Sequence, residues 1–138
     1  MAVGFFFDCF FYQVGHGDFL HSFFSTVTYH LEPNGWGTKY PYLMNDLYYK
    51  RLKWSDIPKA IDEAKEINEK LANYTPSEVI WDIEDLSKQP PWGNNISSNV
   101  TSLSNYFVTS DGRSLIEVLL KALNQAYEDK FDLEIKSL

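Results

Sequence analysis

A chain of 138 residues, with 44% apolar and 17% aromatic side chains, can bury enough surface for one sizeable core, which excludes a disordered chain and leaves little room for a second domain. The formal charge of -7 spreads negative potential over the surface, which repels phosphate backbones and anionic lipid and attracts basic protein surfaces, so neither nucleic acid nor a membrane is an expected partner. With Cys9 as the single cysteine no intramolecular disulfide can form, and a reducing compartment, the cytoplasm, fits best.

In chain order, Val3 to Val14 is aromatic and β-branched with little polar interruption, and reads as one strand covered on both faces, its ends set by Gly4 and Gly15. The stretch Met1 to Val14 lacks a basic n-region, carries Asp8 and has no small-residue cleavage site, so it does not read as a signal peptide. Gly15, Gly17 and Asp18 then predict a turn and a helix cap. Leu20, Phe23, Phe24, Val27 and Leu31 follow at helical spacing, giving a first helix from about Asp18 to Glu32. Pro33, Asn34, Gly35 and Gly37 break the chain, and Tyr40 to Tyr49 fits either a short helix or a strand.

Ser55 is the expected cap of the next helix, with Pro58 in its first turn, where a missing N–H costs little. Ile57, Ile61, Ala64, Ile67 and Leu71 form its apolar stripe, and the opposite face, with Asp62, Glu63, Lys65, Glu66, Glu69 and Lys70, reads as solvated. Glu78 to Ile83 predicts a short strand, Ser87 to Ser104 an irregular stretch, and Asn105 to Thr109 another strand. A turn at Ser110, Asp111 and Gly112 leads into the clearest helix, with Leu115, Val118, Leu119, Ala122, Leu123 and Ala126 facing inward. Phe131 to Ile135 alternates as a last strand. The expected fold class is thus α+β: one domain over residues 1–138, with a small mixed or antiparallel sheet of about four strands packed against three to four helices. No stretch approaches the roughly 20 apolar residues that span a bilayer. The N-x-[ST] sequons at Asn73, Asn95 and Asn99 matter only in a secretory pathway to which nothing else here points.

The residues that carry chemistry are sparse. His21 and His30, nine apart on one predicted helix, lie about 180° around its axis and cannot share a metal, and His16, His21 and Cys9 have no ligand spacing of a known kind. No metal or cofactor is therefore expected. Cys9, inside an apolar run, reads as a small buried hydrophobe rather than a nucleophile. No GxSxG, GxxxxGK[ST] or GxGxxG motif opens any helix, and an anion at the Gly15-His16-Gly17 turn would compete with Asp18 for the same N–H groups. No catalytic residue is assigned, and the chain is not expected to be an enzyme. A hydrolase would need His16 or His21 to converge with the acidic cluster on one point.

That cluster, Asp82, Glu84 and Asp85, sits in WDIEDLSKQPPWG, Trp81 to Gly93. Pro90 and Pro91 stiffen this backbone, so the acids and Trp92 are presented with less entropy left to lose on binding. Asp82, Glu84, Asp85 and Trp92 are accordingly the candidate residues for binding another protein, against the plainer reading in which the tryptophans are core or lid residues and the acids solvate an edge. A small-molecule or peptide site in the aromatic-rich half from Phe5 to Tyr49 is the alternative.

The segments GDFLHSFFSTVTYHLE (Gly17 to Glu32), PYLMNDLY (Pro41 to Tyr48), WDIEDLSKQPPWG and NYFVTSDGR (Asn105 to Arg113) together resemble the Immunity protein 70 family. The resemblance covers most of the chain. It implies a bacterial cytoplasmic protein that binds and blocks the toxic C-terminal domain of a cognate polymorphic or contact-dependent-inhibition effector, and it brings no catalytic residues and no oligomeric state. Toxins that cut nucleic acid carry basic clefts, so a nuclease is the expected partner of an acidic inhibitor.

Overall fold

The computed structural model describes residues 2–93 and 95–137. The aromatic N-terminal run is a hairpin and not one long strand: β1 (Ala2–Phe7) and β2 (Phe10–His16) pair antiparallel through a turn at Asp8 and Cys9. Asp8 takes φ 53°, a left-handed conformation that Asp tolerates because its short polar side chain bonds locally. Cys9, expected inside, is exposed at this turn. Gly4 does not end a strand. It lies within β1, where a Cβ would overlap the Phe11 ring and the Tyr12 carbonyl. The pairing skips Val14, whose carbonyl accepts the Ser110 N–H at 2.8 Å. On the other edge of β1 lies β3 (Glu134–Ser137), completing an antiparallel sheet in the order β2-β1-β3. The predicted last strand from Phe131 is thus displaced toward the C-terminus, with Leu133 making only an isolated bridge to Leu52.

The three long helices lie where apolar periodicity places them. In α1 (Gly17–Leu31), Leu20, Phe23, Phe24, Val27 and Leu31 are buried, but the cap comes from His16, whose Nδ1 accepts the Asp18 N–H at 3.2 Å, and not from Asp18. Likewise α2 (Ile57–Leu71) has no side-chain cap from Ser55, which sits in a preceding 3-10 turn, Trp54–Asp56. In α3 (Leu115–Asp129) all six predicted inward positions are buried. α2 packs on α3, and α3 packs on β1 and β2, so the buried side chains of sheet and helices form one continuous cluster. The fold is α+β, with three strands among the described residues. The two missing ones, Glu78 to Ile83 and Asn105 to Thr109, lie outside every named strand, apart from an isolated bridge between Val108 and Ser114.

Tyr40 to Tyr49 resolves to the helical alternative, as a π-helix over Tyr42–Leu47 with Leu43, Met44 and Leu47 buried. Its free N-terminal donors and the Tyr40 hydroxyl just before it explain why the charged face of α2 is not simply solvated. Glu63 accepts the Leu43 N–H at 2.9 Å, and Glu66 accepts the Tyr40 hydroxyl at 2.6 Å. Glu32, only 3% exposed, accepts the backbone N–H groups of Gly37, Lys39 and Tyr40 at 3.1, 3.0 and 2.9 Å and so shapes the turn after α1. Three carboxylates thus hold residues 37–43 in place.

Burial pushes the Glu63 carboxyl up to about 7, with Glu32 and Asp46 adding to the rise against the two backbone N–H bonds. A raised carboxyl holds its proton more tightly in the folded chain, so the stability it contributes is full below the ordinary 4.5 and is lost as pH rises through about 7. Because Glu63 is half-exposed, solvent discounts the effect. Glu63→Gln is therefore expected to gain about 1 kcal/mol over the parent chain on going from about pH 5 to about pH 8, read by urea unfolding at the two values.

Candidate functional site

The polar face of α1 builds the site. Ser22, Ser25 and Thr26 are fully buried, and a buried hydroxyl without a partner is costly. Their partner is the extended segment that follows the capped turn at Thr75. The Ile80 carbonyl accepts both Ser22 Oγ at 2.7 Å and Thr26 Oγ1 at 3.2 Å, the Ile80 N–H donates to Thr26 Oγ1 at 3.0 Å, and the Ile83 N–H donates to Ser25 Oγ at 3.1 Å. His30 Nε2 donates to the Glu78 carbonyl at 2.7 Å. Residues 78–83 therefore form a strap laid along α1. Its backbone groups bond to helix side chains, which is why strand-like residues there pair with no strand.

At the end of the strap the chain turns through the acidic residues. Asp82 Oδ1 accepts the Glu84 N–H at 2.9 Å and lies 3.2 Å from His21 Nε2, while Oδ2 is 3.6 Å from Lys88 Nζ. The Glu84 N–H and then His21 and Lys88 hold the Asp82 carboxyl below its usual range. An ionised Asp82 can only accept, so His21 carries a proton on Nε2, and its Nδ1 lies 2.5 Å from the Tyr48 hydroxyl. Asp85 Oδ1 accepts from both the hydroxyl and the N–H of Ser87, at 2.5 and 3.1 Å, which lowers its pKa and closes the next turn. Glu84 is exposed and, among the described residues, has no ion pair or side-chain hydrogen bond. Of the three acids on this loop, Glu84 and Asp85 face solvent, whereas Asp82 is spent on positioning.

Trp92, 38% exposed, sits edge-on to Phe19 and Trp81 at ring separations of 5.1 and 5.5 Å, and its indole N–H donates to the Tyr106 hydroxyl at 2.8 Å. It is a half-open lid on an aromatic nest and, through Trp81, adjoins the acidic loop. On the loop's other side lies an open groove of about 460 Å3, lined by Tyr29, Trp36, Tyr49, Ile83 and Glu84 above His21 and Glu32. Sequence reasoning did not single out Trp36, Tyr49 or the hydroxyl face. The available signal was Ser22, Ser25 and Thr26 at i, i+3 and i+4, one helical face beside the apolar one.

His21, Asp82 and Tyr48 do meet, as a hydrolase would require, yet their bonding is directed inward. Both His21 nitrogens are engaged within the chain. Burial first, then Tyr49, Glu84 and Asp82, push the Tyr48 hydroxyl up to about 12, so it stays protonated beside His21. The cluster ties α1, the π-helix and the loop together. His16 and His30 bond elsewhere, and among the described residues no three His, Cys, Asp or Glu side chains converge as metal ligands.

Compared with known proteins, the chain finds no match among curated proteins and none among solved structures. The family model described as Immunity protein 70 matches residues 5–135, a span that takes in β2, parts of β1 and β3, the three long helices, the strap and the acidic loop. The chain belongs to the Immunity protein 70 family.

Proposed function

We propose that the protein neutralises a toxin by binding it, and that the toxin is the C-terminal nuclease domain of a cognate polymorphic or contact-dependent-inhibition effector met in the cytoplasm. Membership of the family implies immunity against a toxin. The acidic loop supplies the contact: Glu84 and Asp85 project from a backbone that the interior hydroxyls of α1 hold in place, so little chain entropy remains to be lost on docking. Asp82 sets the loop's shape, and Trp92 adds an exposed aromatic edge beside it. The single observation that carries this reading is the pairing of exposed acids with a strap bonded to α1 through Glu78, Ile80 and Ile83.

A nuclease presents a positive cleft to its substrate. An inhibitor of charge -7 is steered toward that cleft and occludes it, with affinity arising from contact and not from turnover. Stopped-flow mixing with the toxin domain encoded beside the gene is the test. The association rate is expected to fall by about tenfold or more between low and physiological salt. A rate indifferent to salt removes the electrostatic capture, and an absence of binding removes the proposal.

A further inference from the structure

The groove beside the loop has walls of two kinds. Tyr49 and Tyr29 are 64% and 51% exposed, and Trp36, with Tyr49 5.7 Å from its ring, is fixed by its indole N–H, which donates to the Met44 carbonyl at 2.8 Å, and by Phe24 and His21 stacked near its ring. The rim carries Glu84, which has no ion pair among the described residues. Glu32, which also lines the groove, differs, because its carboxylate is consumed by three backbone N–H groups. The groove therefore offers one uncommitted negative charge beside aromatic faces, of which Trp36 is already set in place.

Each wall selects the same occupant. Aromatic faces attract a cation, and a planar guanidinium can lie on them while its fork of N–H donors reaches a carboxylate. An anion is repelled by Glu84 and by the overall charge, and an aliphatic side chain would cover Glu84 without pairing it. A volume of about 460 Å3 admits one long side chain with its alkyl stem. We infer that this groove, between the second half of α1, the turn at residues 33–37 and Glu84, is a docking pocket for a single arginine side chain of the neutralised protein. This inference rests on the immunity reading above and names the group by which the partner is gripped.

The probe is N-acetyl-arginine methylamide, set against its uncharged isostere N-acetyl-citrulline methylamide. Each is titrated into the full chain while the Trp36 indole N–H is followed by NMR. The arginine probe is expected to shift that resonance saturably in the millimolar range, with citrulline about tenfold weaker. Glu84→Gln, an exposed isosteric change, is expected to bring arginine down to the citrulline level. Equal binding of the two probes, an arginine response untouched by Glu84→Gln, or no saturable shift at Trp36 overturns the inference. Toxin binding measured on the same sample separates the two readings. A chain that binds the toxin domain but not the arginine probe keeps the immunity function and loses the pocket, whereas a chain that binds the probe at Trp36 but no toxin keeps the pocket and loses the function.

Discussion

Replacing Ser22 by alanine and Thr26 by valine together is expected to lower the free energy of unfolding by about 2–4 kcal/mol. Both hydroxyls are buried and serve one residue, since the Ile80 carbonyl accepts from each and the Ile80 N–H donates to Thr26. Thr26→Val preserves shape, so its cost comes from the backbone groups left unpaired against an apolar helix face rather than from a cavity. Urea unfolding gives the number, and Ser98→Ala, at an exposed position, serves as the control with an expected change within about 0.5 kcal/mol. The variant should also lose toxin affinity although neither residue reaches the surface, because a released strap lets the acidic loop sample many conformations before docking. A variant as stable as its parent would mean that the Ser22 and Thr26 hydroxyls contribute nothing to holding residues 78–83.

The second large effect belongs to the loop itself. Glu84→Lys with Asp85→Lys reverses two charges and moves the formal charge from -7 to -3. At low salt the affinity for the toxin domain is expected to fall by about 100-fold, most of it in the association rate, while stability changes by no more than about 1 kcal/mol. Asp85 closes a turn through Ser87, so its reversal disturbs local structure as well as charge. Glu84→Lys alone, at a side chain with no internal partner among the described residues, isolates the electrostatic part. Undiminished toxin binding by the double variant would place the interface elsewhere, and loss of the fold would make the acids structural.

These effects turn on features of unequal visibility in the sequence. The helices were legible because their buried faces repeat every three or four residues, as Leu115, Val118, Leu119 and Ala122 do, and burial of that stripe is what stabilises them. The hairpin was not. Its turn uses Asp8 and Cys9 with no glycine, and aromatic residues run through both strands, so local chemistry gave no sign of reversal. The strap at 78–83 has strand composition, but whether an extended segment finds a ladder or a row of hydroxyls is decided by its neighbour. The charged face of α2 misled for a related reason. Glu63 and Glu66 sit at solvent-facing positions, but Glu63 meets the unpaired N–H groups at the start of the π-helix and Glu66 the Tyr40 hydroxyl, which only tertiary contact reveals. The acidic loop was visible as composition, and its division into the positioning Asp82 and the free Glu84 was not, since it depends on His21 from another element.

The most direct measurement is backbone hydrogen exchange of this chain with and without the toxin domain. Binding through the acidic loop is expected to add protection at residues 83–88 and at the 33–37 turn, leaving β2 and the groove around Arg51 and Trp54 on the sheet side unchanged. Protection confined to that sheet side, with the loop exchanging as freely as before, would contradict the account.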